Sequence, residues 1–236
     1  MKKVLGLVGA ALLFAGPALA ADLGKPVYKA PAPALLPTGW GGFYIGIHGG
    51  YGWGHVTTDD IFPFPSSNSP KGGLFGVQAG YNWQFGTFVT GLEVDSSWAD
   101  LKDSKSNTFL FEDESVLTTT LSSKVDYLGS FRGRAGVLLA PDWLVYGTAG
   151  LGWAHNKLTL SVSDNVGDSL SASVSKTHVG WAAGGGAEYK LLPNLLLRAE
   201  YLHYGFGSET YNFSGGGSLN SKLSVDVVRG GLSYKF

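Results

Sequence analysis

Eight charged residues stand within stretches otherwise rich in glycine and aromatics: Glu93, Asp95, Arg132, Arg134, Glu188, Arg198, Glu200 and Arg229. Arginines and carboxylates in such surroundings pair with one another, line a narrow ion path, or supply acids and bases. The five histidines offer a second chemistry. His203 and His155, in a chain with abundant serine, could serve a nucleophilic triad, yet neither a GxSxG elbow nor an HExxH zinc motif is present. His48 and His178 could ligate a metal or haem only if the fold brought them together. The glycine clusters GGYGWG and GTAGLG imitate phosphate loops, but no helix pattern follows either one to hold a phosphate at its N-terminus. The chain has no cysteine, which excludes disulfides, thiolate metal sites, a cysteine nucleophile and a lipid-modified cysteine. A formal charge of −1 argues against a nucleic-acid partner, whose phosphates demand a basic surface. We expect no catalytic residue, no metal and no cofactor.

The elements that must position these residues begin after a leader. Lys2 and Lys3 precede an apolar run from Val4 to Ala15, and Ala18-Leu19-Ala20 supplies a cleavage site between Ala20 and Ala21. Residues 1–20 therefore read as a signal peptide. Residues 21–39, with prolines at 26, 31, 33 and 37, read as a Pro-rich periplasmic linker, and residues 40–236 as the folded domain. With its two lysines removed, the mature chain is mildly acidic.

The domain has no apolar run near the ~20 residues of a membrane-spanning helix. It alternates with period two instead. Phe75, Val77, Ala79, Tyr81, Trp83 and Phe85 face away from Gly76, Gln78, Gly80, Asn82 and Gln84. The pattern recurs at 43–53, 88–98, 125–137, 143–153, 177–189, 195–203 and 223–236, which makes eight strands. An even count suits a closed antiparallel barrel. The aromatic face carries no Asp, Glu, Lys or Arg on this reading, and the opposite face holds the eight charges. A ligand cup would hide its apolar face inside, whereas a membrane barrel turns it outward, so we expect an all-β, eight-stranded transmembrane barrel with a polar, wet or salt-bridged lumen.

Connections alternate between short and long: Gly86-Thr87, Ala140-Pro141-Asp142 and Leu191 to Asn194 against 56–72, 99–123, 155–175 and 205–221. The long ones read as outer loops. Phe43, Phe85, Phe88, Trp143, Tyr189, Tyr234 and Phe236 form one expected aromatic girdle, and Trp53, Phe75, Trp98, Tyr127 and Trp153 the other. The chain ends RGGLSYKF, with Leu232, Tyr234 and Phe236 on one face, a pattern resembling the assembly signal of outer-membrane barrels.

GWGGFYIGIHGGYGWG, GGLFGVQAGYNWQFG, GLEVD, SFRGRAGV, VGWAAGGGAEYKL, LRAEYLHYGFG and VVRGGLSYKF occur in this order. Together they resemble the alphaproteobacterial opacity-like, immunogenic outer-membrane protein family over residues 43–236. The resemblance implies a barrel of the cell outer membrane, often described as a porin family protein or major surface antigen, with haem binding linked to some relatives. Its expected partners are outer-membrane lipid and lipopolysaccharide, and the barrel-assembly machinery through the C-terminal strand; a monomer is expected, with an oligomer as the alternative.

Eight strands enclose an interior that side chains fill, so a large solute channel is not expected. The leading expectation is a structural, surface-exposed barrel whose lumen is held by an Arg/Glu network. Its rivals are a narrow porin-like pore, a haem or ligand receptor using the loops, and a lipid-modifying barrel enzyme using His203 or His155 at the outer rim.

Overall fold

The computed structural model describes residues 39–58, 67–110, 116–164, 169–213 and 217–236. The expected signal peptide, its expected cleavage point and the expected linker up to residue 38 lie outside the described residues, as do the tips of the outer connections. Eight long strands form: β1 (Gly42–Thr58), β2 (Lys71–Phe85), β3 (Phe88–Leu110), β4 (Val116–Ala140), β5 (Trp143–Asp164), β6 (Ser169–Leu192), β7 (Leu195–Phe213) and β8 (Gly217–Lys235). Each pairs antiparallel with the next, and β1 pairs with β8, with Ile45 opposite Tyr234 and Gly50 opposite Arg229. The ring is closed, and the edges that would template aggregation are absorbed into it. A two-residue strand, Ser67–Asn68, resumes pairing with β1 beyond Pro70. That proline has no N–H for the ladder, but its carbonyl accepts from Gly54 N at 2.6 Å.

The faces divide as the alternation requires. Phe43, Ile45, Ile47, Tyr51 and Trp53 of β1 point out, while Tyr44, His48 and Val56 are buried within. Inner-girdle rings meet in pairs, Phe43 with Phe236 at 5.7 Å and Trp143 with Tyr189 at 4.9 Å; in the outer girdle Phe75 stacks on Trp98 at 5.3 Å. The short connections are tight turns, the first held by Gly86 at φ 64°.

The outer connections differ from the expected loops. β3 and β4 stay paired as far as Leu110 opposite Val116, β5 and β6 as far as Ser163 opposite Ser169, and β7 and β8 as far as Phe213 opposite Gly217. Most of 99–123, 155–175 and 205–221 is strand. Apolar alternation ends there because no lipid faces these residues. Backbone ladders continue, supported by hydroxyl pairs such as Ser104 with Ser122 at 2.9 Å and Ser106 with Thr120 at 2.8 Å.

A bulge corrects one further expectation. An extra residue between Val125 and Tyr127 shifts the phase of β4, so Val125, expected outside, is fully buried inside. On β8, whose register with β1 is unbroken, Leu223 lies inside by the same parity that points Leu232, Tyr234 and Phe236 out.

Small inward residues let the strands coil closely. A Cβ on Gly150 of β5 would sit 2.1 Å from the Phe131 carbonyl oxygen and 2.6 Å from Arg132 Cα, both backbone atoms. Gly150→Ala is therefore expected to cost about 1–3 kcal/mol by overpacking, measured as urea unfolding of the refolded protein. Unchanged stability would mean that β4 and β5 part freely at this point.

Candidate functional site

The lumen repeats one order of residue types on several strands, most plainly on β7: Leu196, then Arg198 and Glu200, then Leu202, Tyr204 and Phe206, all buried. Inner apolar, charged, outer apolar is the sequence of layers from the short turns outward.

The charged layer brings all eight predicted residues together. Glu93 is its centre: its carboxylate lies 2.8 Å from Arg132, 2.6 Å from Arg198, and 3.7 Å from both Arg134 and Arg229, and it accepts the Tyr44 hydroxyl at 2.6 Å. Glu188 bridges Arg134 at 3.0 Å and Arg198 at 2.6 Å. Glu200 bridges Arg132 at 3.2 Å and Arg229 at 2.6 Å, and accepts the Tyr146 hydroxyl at 2.9 Å. Asp95 meets Arg132 at 3.0 Å and Arg229 at 2.9 Å, and accepts the Ser130 hydroxyl. Every arginine thus touches at least two carboxylates, and none of these side chains is more than 3% exposed. Burying these charges is costly, and reciprocal pairing offsets the desolvation. Register explains the assembly: Glu93 stands opposite Arg132, Glu188 opposite Arg198, and Glu200 opposite Arg229 on adjoining strands.

On either side stands an apolar cluster, set among buried polar groups such as Asn82, Ser233 and Lys235 toward the inner end and Ser123, Asn156 and His178 toward the outer end. Trp40, just ahead of β1, is buried with Val89, Leu144, Tyr146 and Leu196, and closes the inner end. Its backbone N–H donates to Gln84 Oε1 at 2.6 Å, its indole N–H to the Pro141 carbonyl at 3.1 Å, and the Lys190 ammonium sits 4.9 Å from its ring. Above the charges, Leu101, Leu128, Ala154, Leu202, Tyr204, Phe206, Val225 and Val227 belong to one buried cluster, with Tyr204 stacked on Phe206 at 6.1 Å. The expected polar lumen thus also holds apolar clusters on both sides of its charged layer. Inward positions beyond the arginines carry leucine, valine and aromatics interspersed with Ser97, Ser123, Asn156 and His178.

The histidines stay apart. His48 has both ring nitrogens engaged, Nδ1 with Gln78 Oε1 and Nε2 with Ser97 Oγ, each at 2.8 Å. His178 is buried higher in the barrel, edge-on to Phe206. Among the described residues no group of His, Asp and Glu is arranged to hold a metal ion.

Within the strand spans read from the alternation, one charge lies on the outward face, contrary to the expected charge-free aromatic side. Asp226 of β8 accepts from Tyr201 OH at 2.6 Å and pairs with His203 Nδ1 at 2.7 Å. Along β8 it stands roughly 25 Å above Phe236, from ~3.3 Å per residue and a tilt of ~40°, which puts it at the outer girdle rather than in the apolar band. Its two donors permit a carboxylate there.

Residues 8–236 match the family described as the outer membrane protein beta-barrel domain. The 31 kDa outer-membrane immunogenic protein of Brucella melitensis biotype 1 is 34% identical over 253 residues, covering 100% of both chains. The 25 kDa outer-membrane immunogenic protein of Brucella abortus biovar 1 is 34% identical over 237 residues, covering 99% of this chain and 98% of the relative. Among solved structures, the outer membrane protease OmpT from Escherichia coli superposes with a TM-score of 0.50 at 10% identity, covering 83% of this chain and 97% of that one, a likeness of fold alone.

Proposed function

The chain belongs to the outer membrane protein beta-barrel domain family, and from that premise we propose that it is a non-enzymatic, surface-exposed structural barrel with a sealed lumen. Its location is the outer membrane, as for the relatives named outer-membrane immunogenic proteins. The observation that carries the reading is the stack of three seals: the Trp40 layer, the four-arginine, four-carboxylate layer and the Tyr204/Phe206 layer. An ion crossing this path would have to part both apolar layers and displace paired charges between them. What the protein presents outward is its long polar hairpins.

A lumenal haem or metal reading is disfavoured because His48 has no free ring nitrogen. The enzymatic reading draws some support from the His203–Asp226 pair at the rim. Among the described residues, however, no serine hydroxyl is bonded to the other nitrogen of His203, so nothing there is activated as a nucleophile. The pair, with the Tyr201 hydroxyl, gives the Asp226 carboxylate its hydrogen-bond partners at the interface. The outward C-terminal residues Leu232, Tyr234 and Phe236 fit recognition by the assembly machinery, and the closed ring fits a monomer.

Single-channel recording of the refolded mature protein in a planar bilayer tests the seal. The wild type is expected to be silent, and so is Arg132→Ala, which loosens the ionic layer but leaves both apolar layers. Steady openings in the folded wild type would replace this reading with the narrow pore.

A further inference from the structure

Beyond the outer girdle the outward face carries four lysines in direct cross-strand register. Lys71 of β2 stands opposite Lys102 of β3, Lys102 opposite Lys124 of β4, and Lys124 opposite Lys157 of β5. The row begins beside a girdle ring, since Trp53 of β1 stands opposite Lys71. Like charges placed directly opposite one another destabilise a sheet, so four in a row is a cost that this surface carries for some other reason. One step further out runs a parallel row of hydroxyls, Ser104 opposite Ser122 and Ser122 opposite Thr159. Lys102, Lys124, Lys157, Ser104, Ser122 and Thr159 line a common groove of about 420 Å³.

The acids nearby do not cancel the row. Asp100 lies 2.8 Å from Lys102 and 3.9 Å from Lys124, and the Lys102 hydrogen bond holds its carboxyl below the usual carboxylate range. It stays ionised at neutral pH and offsets one cation of the four. Asp103, also on the groove, has its carboxylate engaged by the Ser69 N–H at 2.7 Å.

Height decides what anion could reach these ammoniums. Lys71, Lys102 and Lys157 lie further out along their strands than the girdle residues Phe75, Trp98 and Trp153, by roughly 10 Å at ~3.3 Å per residue and ~40° tilt. That is the depth of headgroups, above the acyl chains and below the hairpin tips. We propose that Lys71, Lys102, Lys124 and Lys157, with the Ser104–Ser122–Thr159 hydroxyls, form a site for the phosphate groups of outer-leaflet lipopolysaccharide. Ammonium groups supply the charge, hydroxyls the directed hydrogen bonds, and Phe75 and Trp98 rest on the acyl boundary beneath. The site depends on the outer-membrane placement above but not on the sealed lumen, so a conducting barrel that still binds would overturn one proposal and leave the other.

The test uses the mature protein refolded in detergent micelles and titrated with three probes: phosphorylated lipopolysaccharide, the same lipopolysaccharide stripped of phosphate, and inorganic phosphate. Tight binding is expected for the first, with affinity at least tenfold lower for the second and no competition by millimolar inorganic phosphate. Each of Lys102→Gln and Lys124→Gln should raise Kd about fivefold, and the four-lysine variant by more than about 100-fold. Lys222→Gln is the control, because Lys222 lies on the outward face of β8 opposite Thr57 and Ser208, away from the row; its Kd should change by less than about twofold. Gel heat-modifiability reports folding, and the single variants carry the test if the fourfold one misfolds. Equal binding of the stripped lipid, or a Lys222→Gln loss matching that of Lys124→Gln, would overturn the site. Effective competition by inorganic phosphate would reassign it to free anions.

Discussion

Glu93→Ala is expected to destabilise the barrel by about 3–5 kcal/mol, more than any other single removal of a charge in the lumen. Glu93 meets all four arginines of the layer and the Tyr44 hydroxyl. Its loss leaves a net positive charge among buried side chains, and an unpaired hydroxyl as well. The compensating experiment is Glu93→Leu combined with Arg198→Leu, which restores charge balance and fills the space with apolar groups. Because the partners share a network, the double variant should lose clearly less than the sum of the single losses. Urea unfolding of the refolded protein, followed by tryptophan fluorescence, measures both. A cost below about 1 kcal/mol for Glu93→Ala would mean that water reaches the layer and that the lumen is not sealed.

The membership of this layer was legible before any coordinates because period-two alternation fixes the face of every residue once one side is known to meet lipid. Glu93 and Asp95, or Arg198 and Glu200, lie two apart and so share a face. Which carboxylate meets which arginine was not legible, since pairing depends on register across strands and on the stagger of the ring. The outer apolar layer was missed for a different reason. Outward apolar residues identify a membrane barrel, and the reading stopped there, although Leu202, Tyr204 and Phe206 on β7 continue the inward phase of Arg198 and Glu200. That parity was the available signal. Val125 could not have been placed by parity at all, because the bulge beside it reverses the phase without leaving a mark such as glycine or proline. Asp226 breaks the charge-free pattern because a carboxylate is costly on the lipid side until Tyr201 and His203 are brought across from β7. The long hairpins read as loops because serine and threonine satisfy a backbone ladder without any apolar alternation. Trp40 was placed at the start of the domain, but nothing in the sequence says that its ring folds under the barrel to meet Pro141.

Phe206→Ala separates the contributions of the outer apolar layer to stability and to sealing. Phe206 is 2% exposed, stacks on Tyr204 and meets the edge of His178. Truncation removes a whole ring from a closed cluster, and large-to-small changes of this kind cost about 3–5 kcal/mol. Phe131, one strand position from Arg132 but outward and half exposed, is the matched control. Lipid fills the space that Phe131→Ala vacates, so its cost should be several-fold smaller, whereas Phe206 is buried in a closed cluster that lipid does not reach. Conductance then distinguishes seals in series from a single gate. If the layers act in series, Phe206→Ala stays silent in a planar bilayer despite its lost stability, because the Glu93 layer and the Trp40 layer still block the path. Openings in Phe206→Ala alone would locate the whole barrier at the outer layer and reduce the charged network to a scaffold. Silence in Phe206→Ala, with openings only once Glu93 and Trp40 are also truncated, is the outcome that three independent closures require.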